Sequence, residues 1–331
     1  MTERHRKGPI VGVDLGGTNM SVGVVDERGK IIGRAKRKTR ASEGKETVIT
    51  RLVEAIDRAC AEAGLTRAQI SAVGVGAPSA VDIERGLLYS AGNLGWKNVP
   101  LRDILNKRLG RPVVVDNDVN VAVWGEHQLG AGRGRGDMLG VWVGTGIGGG
   151  LILHGRLWRG PLSTAGEIGN SILLPIPSPG RRTVEEHCSR TAMVRAMDAL
   201  LGFYPNSMLR EFIEGKEQRE PLDRAIGSSV IAECYAKGDA LVRRVVDASA
   251  DLLGVAIANA VTLLSIPTIV LGGGVSDALG KPWIARVRDS FEEHVFPQSL
   301  RRVDVVASAL MGDAGVLGAA MLARDPAAAR A

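Results

Sequence analysis

Eight residues, Val113 to Asn120, read VVVDNDVN: three branched apolar side chains run straight into two carboxylates and two carboxamides. Polar groups packed this densely behind a buried run cost free energy unless each finds a partner. A carboxylate here can take a proton from a substrate hydroxyl, which assigns Asp118 as a candidate base. The carboxamide of Asn117 donates and accepts at once, which suits a neighbouring hydroxyl, while Asn120 is placed to brace the turn. The competing reading is an Asx-rich helix cap with no chemistry in it.

Three glycine-rich turns carry a second chemistry: DLGGTN (14–19), GTGIGG (144–149) and LGGG (271–274). Glycine lets backbone N–H groups approach a phosphate with no Cβ in the way. In the first turn Gly16 and Gly17 offer that approach, Thr18 adds a hydroxyl, Asn19 closes the motif, and Asp14 is placed to hold Mg²⁺ directly or through water. In the second, Thr145 and the N–H groups of Gly146 and Gly148 form the cradle; in the third, Gly273 and Gly274 let a flat purine pass close to the backbone. DLGGTN is not a Walker A loop, since no Gly-Lys-Ser/Thr follows, and it lacks GxGxxG. Any one of these turns is ordinary, but three at strand ends in one chain point to nucleotide phosphates.

The elements that must position these residues are legible in outline. Ile10–Val13, Ser21–Val25 and Ile31–Ala35 read as strands, residues 46–63 as a helix with Val48, Leu52, Ile56 and Cys60 on one face, and Ile70–Val75 as a further strand. A short helix over 101–109 leads to the strand at Val113. A second series follows: a strand at Leu139–Val143, the GTGIGGG turn, and a strand at Leu151–His154. Helical pattern covers 228–266 with a break near Gly238-Asp239. Strands at Thr268–Leu271 and Val303–Ala307 and a helix from Ala314 close the chain. The two halves echo one another, each opening with strand, Gly/Thr turn and strand, which predicts two related α/β domains facing a cleft.

The 331 residues suffice for one large or two ordinary domains, with 45% hydrophobic and 24% charged residues in a globular balance. The net charge is +6, and Arg34, Lys36, Arg37, Lys38 and Arg40 form its densest cluster. Such a cluster protects an exposed strand edge; a polyanion site, for polyphosphate as well as nucleic acid, is the weaker alternative. Cys60, Cys188 and Cys234 are far apart, with no CxxC pair, as in a reducing cytosol. The charged start MTERHRKG lacks a signal-peptide core. The uncharged stretch between Asp251 and Asp277 is long enough to span a bilayer, but its polar interruptions and Pro267 favour a buried helix, a turn and a buried strand. No membrane association and a cytoplasmic location are expected.

Taken in order, DLGGTN, GNLGW (92–96), NDVN (117–120), GTGIGGG (144–150), AGEIGN (165–170) and LGGG resemble the ROK family of bacterial sugar kinases, open reading frames and repressors, over residues 9 to 324. The resemblance implies the actin-like (ribonuclease-H-like) ATPase fold, two α/β domains around a central cleft: a small one of 1–120 plus 312–331 and a large one of 121–311. It implies ATP with Mg²⁺, a hexose as partner, and a homodimer. It gives Asp118 the role of general base, and puts Asn93, Asn117, Glu167 and Glu186 in the sugar site; the adjacent Glu185 has no such match and is read as solvated.

The chain departs from the family at several positions. Asn170, Pro177, Pro179 and Val184 stand where many members carry the histidine and three cysteines of a structural zinc, so no zinc is expected, and prolines 175, 177 and 179 would stiffen that loop instead. Asn170 reaches a sugar hydroxyl from a shorter side chain than histidine, and Ser79 stands where a glycine is usual near the sugar. The leading reading is phosphorylation of a hexose at the 6-hydroxyl, glucose first. Alternatives are another hexose or amino sugar (N-acetylmannosamine, N-acetylglucosamine, fructose, allose), polyphosphate as donor, or a non-catalytic sugar-sensing regulator. A DNA-binding repressor is disfavoured, because the first strand starts near residue 9 and leaves no room for a helix-turn-helix ahead of it.

Overall fold

Continuous apolar runs become central strands. In the computed structural model, which describes residues 5–174, 182–213, 222, 226–325 and 327–328, β1 (Ile10–Leu15) and β4 (Ala72–Ala77) are buried over almost their full length. They pair in parallel with Gly12 opposite Gly74, as strands covered on both faces do. β2 (Asn19–Val25) turns back antiparallel on β1, β3 (Ile31–Lys38) adds antiparallel at the edge, and β8 (Val113–Asn117) joins β4 in parallel. The order is β3-β2-β1-β4-β8. β3 runs on through the basic cluster, with Arg34, Lys36 and Lys38 exposed, so these charges guard a sheet edge as expected. A small antiparallel sheet of β5 (Ala80–Asp82), β6 (Leu87–Ala91) and β7 (Trp96–Val99) was not foreseen.

α1 (Lys45–Glu62) buries Val48, Ile49, Leu52, Ala55, Ile56, Ala59 and Cys60, the helical spacing read from the sequence. α2 (Leu101–Leu109) ends on Gly110 in the left-handed conformation. α3 (Asp118–Leu129) starts on an Asn117 N-cap.

The second sheet repeats the first. β9 (Met138–Val143), β10 (Ile147–Leu153), β11 (Arg156–Trp158), β12 (Thr268–Gly272) and β13 (Asp304–Ala307) take the order β11-β10-β9-β12-β13, with β12 parallel to both β9 and β13. In each series the first two strands flank a Gly/Thr turn, the third lies at an edge and two later strands join in parallel. That duplicated pattern is the actin-like, ribonuclease-H-like architecture. β10 starts inside the glycine run, so the turn is shorter than expected.

Helices of the second series are α4 (Val184–Cys188), α5 (Arg190–Leu200), α6 (Leu209–Ile213), α7 (Ser228–Ala236), α8 (Ala240–Leu264) and α9 (Gly274–His294). Asp239 caps α8 by accepting from Val242 N at 2.9 Å, which is the break expected near Gly238. Among the described residues α8 is the one helix long and apolar enough, by length and composition, to cross a membrane. It instead buries Leu241, Val245, Leu253, Ile257 and Val261 and packs on α9. Among the described residues no group of His, Cys, Asp and Glu is placed to hold a metal; prolines 175, 177 and 179 lie outside those residues.

α10 (Ala314–Arg324) packs on β1, β4 and α3. A Cβ on Gly12 or Gly74 would run into backbone carbonyls of this helix, at Val316 and Ala319, so glycine there permits backbone-to-backbone packing. By contacts one compact unit holds Met1–Gly136, Gly150–Gly166 and Gly312–Ala331, and the other holds Asp137–Gly149 and Glu167–Met311.

Candidate functional site

In the first unit the β1–β2 turn is held tightly. Gly16 N donates to Asn19 O at 3.0 Å, and Thr39 N to Thr18 O at 2.8 Å. Thr39 Oγ1, fully buried, donates to Gly16 O at 2.6 Å. Thr18 and Asn19 are exposed, and Asn19 already belongs to β2. A Cβ on Gly17 would sit 2.7 Å from Asn93 Cβ. The GNLGW segment therefore presses on the glycine turn and brings the exposed Asn93 beside it. Asp14 lies on β1 beneath the first turn of α10, where a Cβ on Gly315 would be 3.0 Å from its carboxyl carbon. Burial pushes its pKa above the usual carboxylate value, and the Lys36 ammonium pulls the other way. A single hard oxygen donor suits Mg²⁺, which binds through one or two carboxylates and takes its other ligands from phosphates and water.

The NDVN segment turns from β8 into α3. Asn117 Oδ1 accepts from Val119 N at 2.9 Å and Asn120 N at 3.0 Å, and its Nδ2 donates to Ser79 O at 3.3 Å. The capping reading is thus realised by Asn117. Asp118 is the first residue of α3, half-buried, with Oδ1 accepting from Val119 N at 2.9 Å. Ser79 is buried; its hydroxyl donates to Ala80 O at 2.8 Å and accepts from Ser90 N at 3.2 Å, so it ties β5 to β6. Asn120 Nδ2 donates to Asp116 Oδ1 at 3.3 Å, which is the bracing role expected of it.

In the second unit the turn is confined to 144–146, closed by Gly144 N donating to Gly146 O at 2.9 Å. Gly148 lies in β10 rather than in the turn. Thr145 is exposed; its hydroxyl accepts from Arg190 Nη2 at 3.2 Å and its carbonyl from Thr191 Oγ1 at 2.8 Å. Glu185 corrects the expectation of a solvated side chain: its Oε2 accepts from Ile147 N at 2.8 Å and lies against Gly146. Glu186, one residue on, closes a capping box on Thr183. Its Oε2 accepts from Arg182 N at 2.8 Å and Thr183 N at 2.9 Å. The Thr183 N–H, then the Arg182 N–H, hold its pKa below the usual value. Glu167 and Asn170 are exposed and joined, Asn170 Nδ2 donating to Glu167 Oε2 at 3.0 Å. Ser171 O accepts from Val184 N at 3.1 Å, which sets that pair alongside the start of α4. Gly273, with φ 88°, is the N-cap of α9. A Cβ on it would lie 2.7 Å from Val143 O, so Gly273 and Gly274 open α9 beside the end of β9.

Each unit therefore collects its own set. The first brings Asp14, the glycine turn, Asn93, Ser79 and the NDVN segment to one end of its sheet; the second gathers Thr145, Gly146, Glu167, Asn170, Glu186 and the start of α9. Sequence reasoning missed Thr39, Glu185, Arg190 and Thr191. Only Glu185 carried a signal, as a second acidic residue in the first turn of a helix.

With this geometry in hand, the chain matches the ROK family over residues 10–326. It is 33% identical over 321 residues to a glucokinase of Thermotoga maritima, covering 96% of this chain and 97% of that one. It is 31% identical to a glucokinase of Halalkalibacterium halodurans, covering 95% and 94%. Its fold superposes with a TM-score of 0.82 on a ROK family glucokinase of Streptomyces griseus solved with glucose and AMPPNP, at 32% identity and covering 96% and 99%. The chain belongs to the ROK family, and is a sugar kinase of the glucokinase-like kind without that family's zinc-binding cysteines.

Proposed function

We propose that the protein transfers the γ-phosphate of ATP to the 6-hydroxyl of a hexose, glucose first, with Asp118 as general base. Asp118 takes the proton of the hydroxyl, the hydroxyl oxygen attacks the γ-phosphorus, and the bond to the bridging oxygen breaks to release ADP. A carboxylate suffices, because phosphoryl transfer asks more for positioning and charge stabilisation than for a strong base. Mg²⁺, when bound with ATP, neutralises phosphate charge; Asp14 is the residue that would help hold it. The Gly16–Thr18 and Thr145–Gly146 turns and the start of α9 would take the nucleotide. Asn93, Asn117, Glu167, Asn170 and Glu186 would take the sugar hydroxyls, the carboxylates through charge-assisted hydrogen bonds.

The observation that carries this reading is the position of Asp118. It opens α3 at the end of β8, half-buried, directly after the Asn117 that caps the helix, and this places a carboxylate at the same end of the sheet as the β1–β2 glycine turn. The test compares glucose with 6-deoxyglucose: ADP release with the first and none with the second fits the proposal, whereas equal release with both excludes the 6-hydroxyl as acceptor. A homodimer in the cytoplasm, fed by cellular ATP, completes the proposal.

A further inference from the structure

Asp116 and Arg159 are a charge pair sealed inside the first unit, 1% and 5% exposed. Their geometry is one-sided. Arg159 places Nε at 2.8 Å and Nη2 at 2.7 Å on the same oxygen, Asp116 Oδ2. That leaves Oδ1 to the turn, where it accepts from Asn117 N at 2.7 Å and from Asn120 Nδ2 at 3.3 Å. Nη2 also donates to Ala328 O at 3.1 Å, beyond the C-terminal helix. One oxygen of Asp116 is thus clamped by the residue that follows β11, and the other grips Asn117 and Asn120, before and after Asp118.

We propose that Arg159 is a positioning residue for the candidate base, acting through Asp116 on the turn that presents Asp118; the inference rests on the kinase reading above. The two N–H groups on Oδ2 fix the Asp116 carboxylate, and the fixed carboxylate sets the backbone at Asn117 and the side chain at Asn120. Asp118 lies between those two anchors. A purely stabilising pair would serve anywhere in the core; this one ends on the turn that carries the chemistry.

Two readouts on the full chain separate positioning from stability. In steady-state kinetics, Arg159→Met is expected to lower kcat by about 10²-fold while KM for Mg-ATP stays within about twofold. Arg159→Lys should recover part of the loss, since an ammonium keeps the charge without the two-pronged grip. In hydrogen exchange, amides of residues 117–120 should exchange about tenfold faster in both variants, with β1 unchanged. A folded Arg159→Met with wild-type kcat, or with unchanged exchange at 117–120, overturns the proposal. If Arg159→Met does not fold, Arg159→Lys is read in both arms. If the wild type phosphorylates no sugar, the kinase reading fails and the exchange arm alone decides the positioning role.

Discussion

Asp14 shows how a residue's surroundings, more than its type, set what it can do. Burial raises its pKa, with Lys36 opposing, so it gives up its charge on acidification sooner than an ordinary aspartate. Mg-nucleotide binding that uses the carboxylate should weaken as pH falls through this raised value, and the Asp14→Asn variant should lose that part of the pH dependence; calorimetric titration between pH 4 and 8 checks it. Apo stability runs the other way: a raised carboxylate destabilises the fold as pH rises from its unfolded to its folded pKa, and the effect vanishes below both. The cysteines give a second prediction. Burial pushes the Cys188 thiol up to about 12 and Cys234 to about 11, and all three thiols are buried and unpaired. A thiol reagent at pH 8 should label none of them in the native state and all three after denaturation; rapid native labelling would contradict the packing. At this scale the kinds of residue were legible but their assignment was not always. Glu185 and Glu186 are neighbours in sequence, yet successive helical residues point about 100° apart, so one reaches Ile147 N while the other turns back to Thr183.

Whole elements were legible where hydrophobic period and punctuation agreed. The apolar runs of β1, β4, β8, β9 and β12 and the stripe of α1 fell where expected, because burial on both faces or on one stripe leaves an unambiguous pattern. α9 was not foreseen. Gly280 at φ 65° and Pro282 split it, which breaks the helical period into pieces too short to read. β5 to β7 were missed because short, half-exposed strands carry little alternation. The same logic places a prediction at the turn between β9 and β10. Glu185 ties the start of α4 to the first residue after the turn, so Glu185→Ala should loosen the Thr145–Gly146 turn that we propose takes the nucleotide, and leave the first unit alone. KM for ATP is expected to rise about tenfold, with Tm little changed; an unchanged KM would show that the turn holds its shape without that tie.

At the scale of the whole molecule, the chain's last helix completes a sheet formed by its first residues. α10 buries Val316, Leu317, Met321 and Leu322, worth about 6–12 kcal/mol at roughly 1.5–3 kcal/mol each. That is comparable to the net stability of about 5–15 kcal/mol expected for a native protein. A chain ending at Met311 should therefore lose cooperative folding of the first unit, seen as missing protection of β1 and β4 in hydrogen exchange. The echo between the two halves was readable from two matching glycine turns, DLGGTN and GTGIGG, and it appears as two sheets with one strand order; the placement of α10 was not readable, because nothing local in a small-residue helix says which distant sheet it covers. The central claim is that Asp118 is the base of a sugar kinase. Its most direct test is ADP release from Mg-ATP with glucose, wild type beside Asp118→Asn, with glucose affinity measured on both. The account predicts unchanged affinity and turnover lower by about 10²–10⁴-fold; near-normal turnover in the folded Asp118→Asn protein would contradict it.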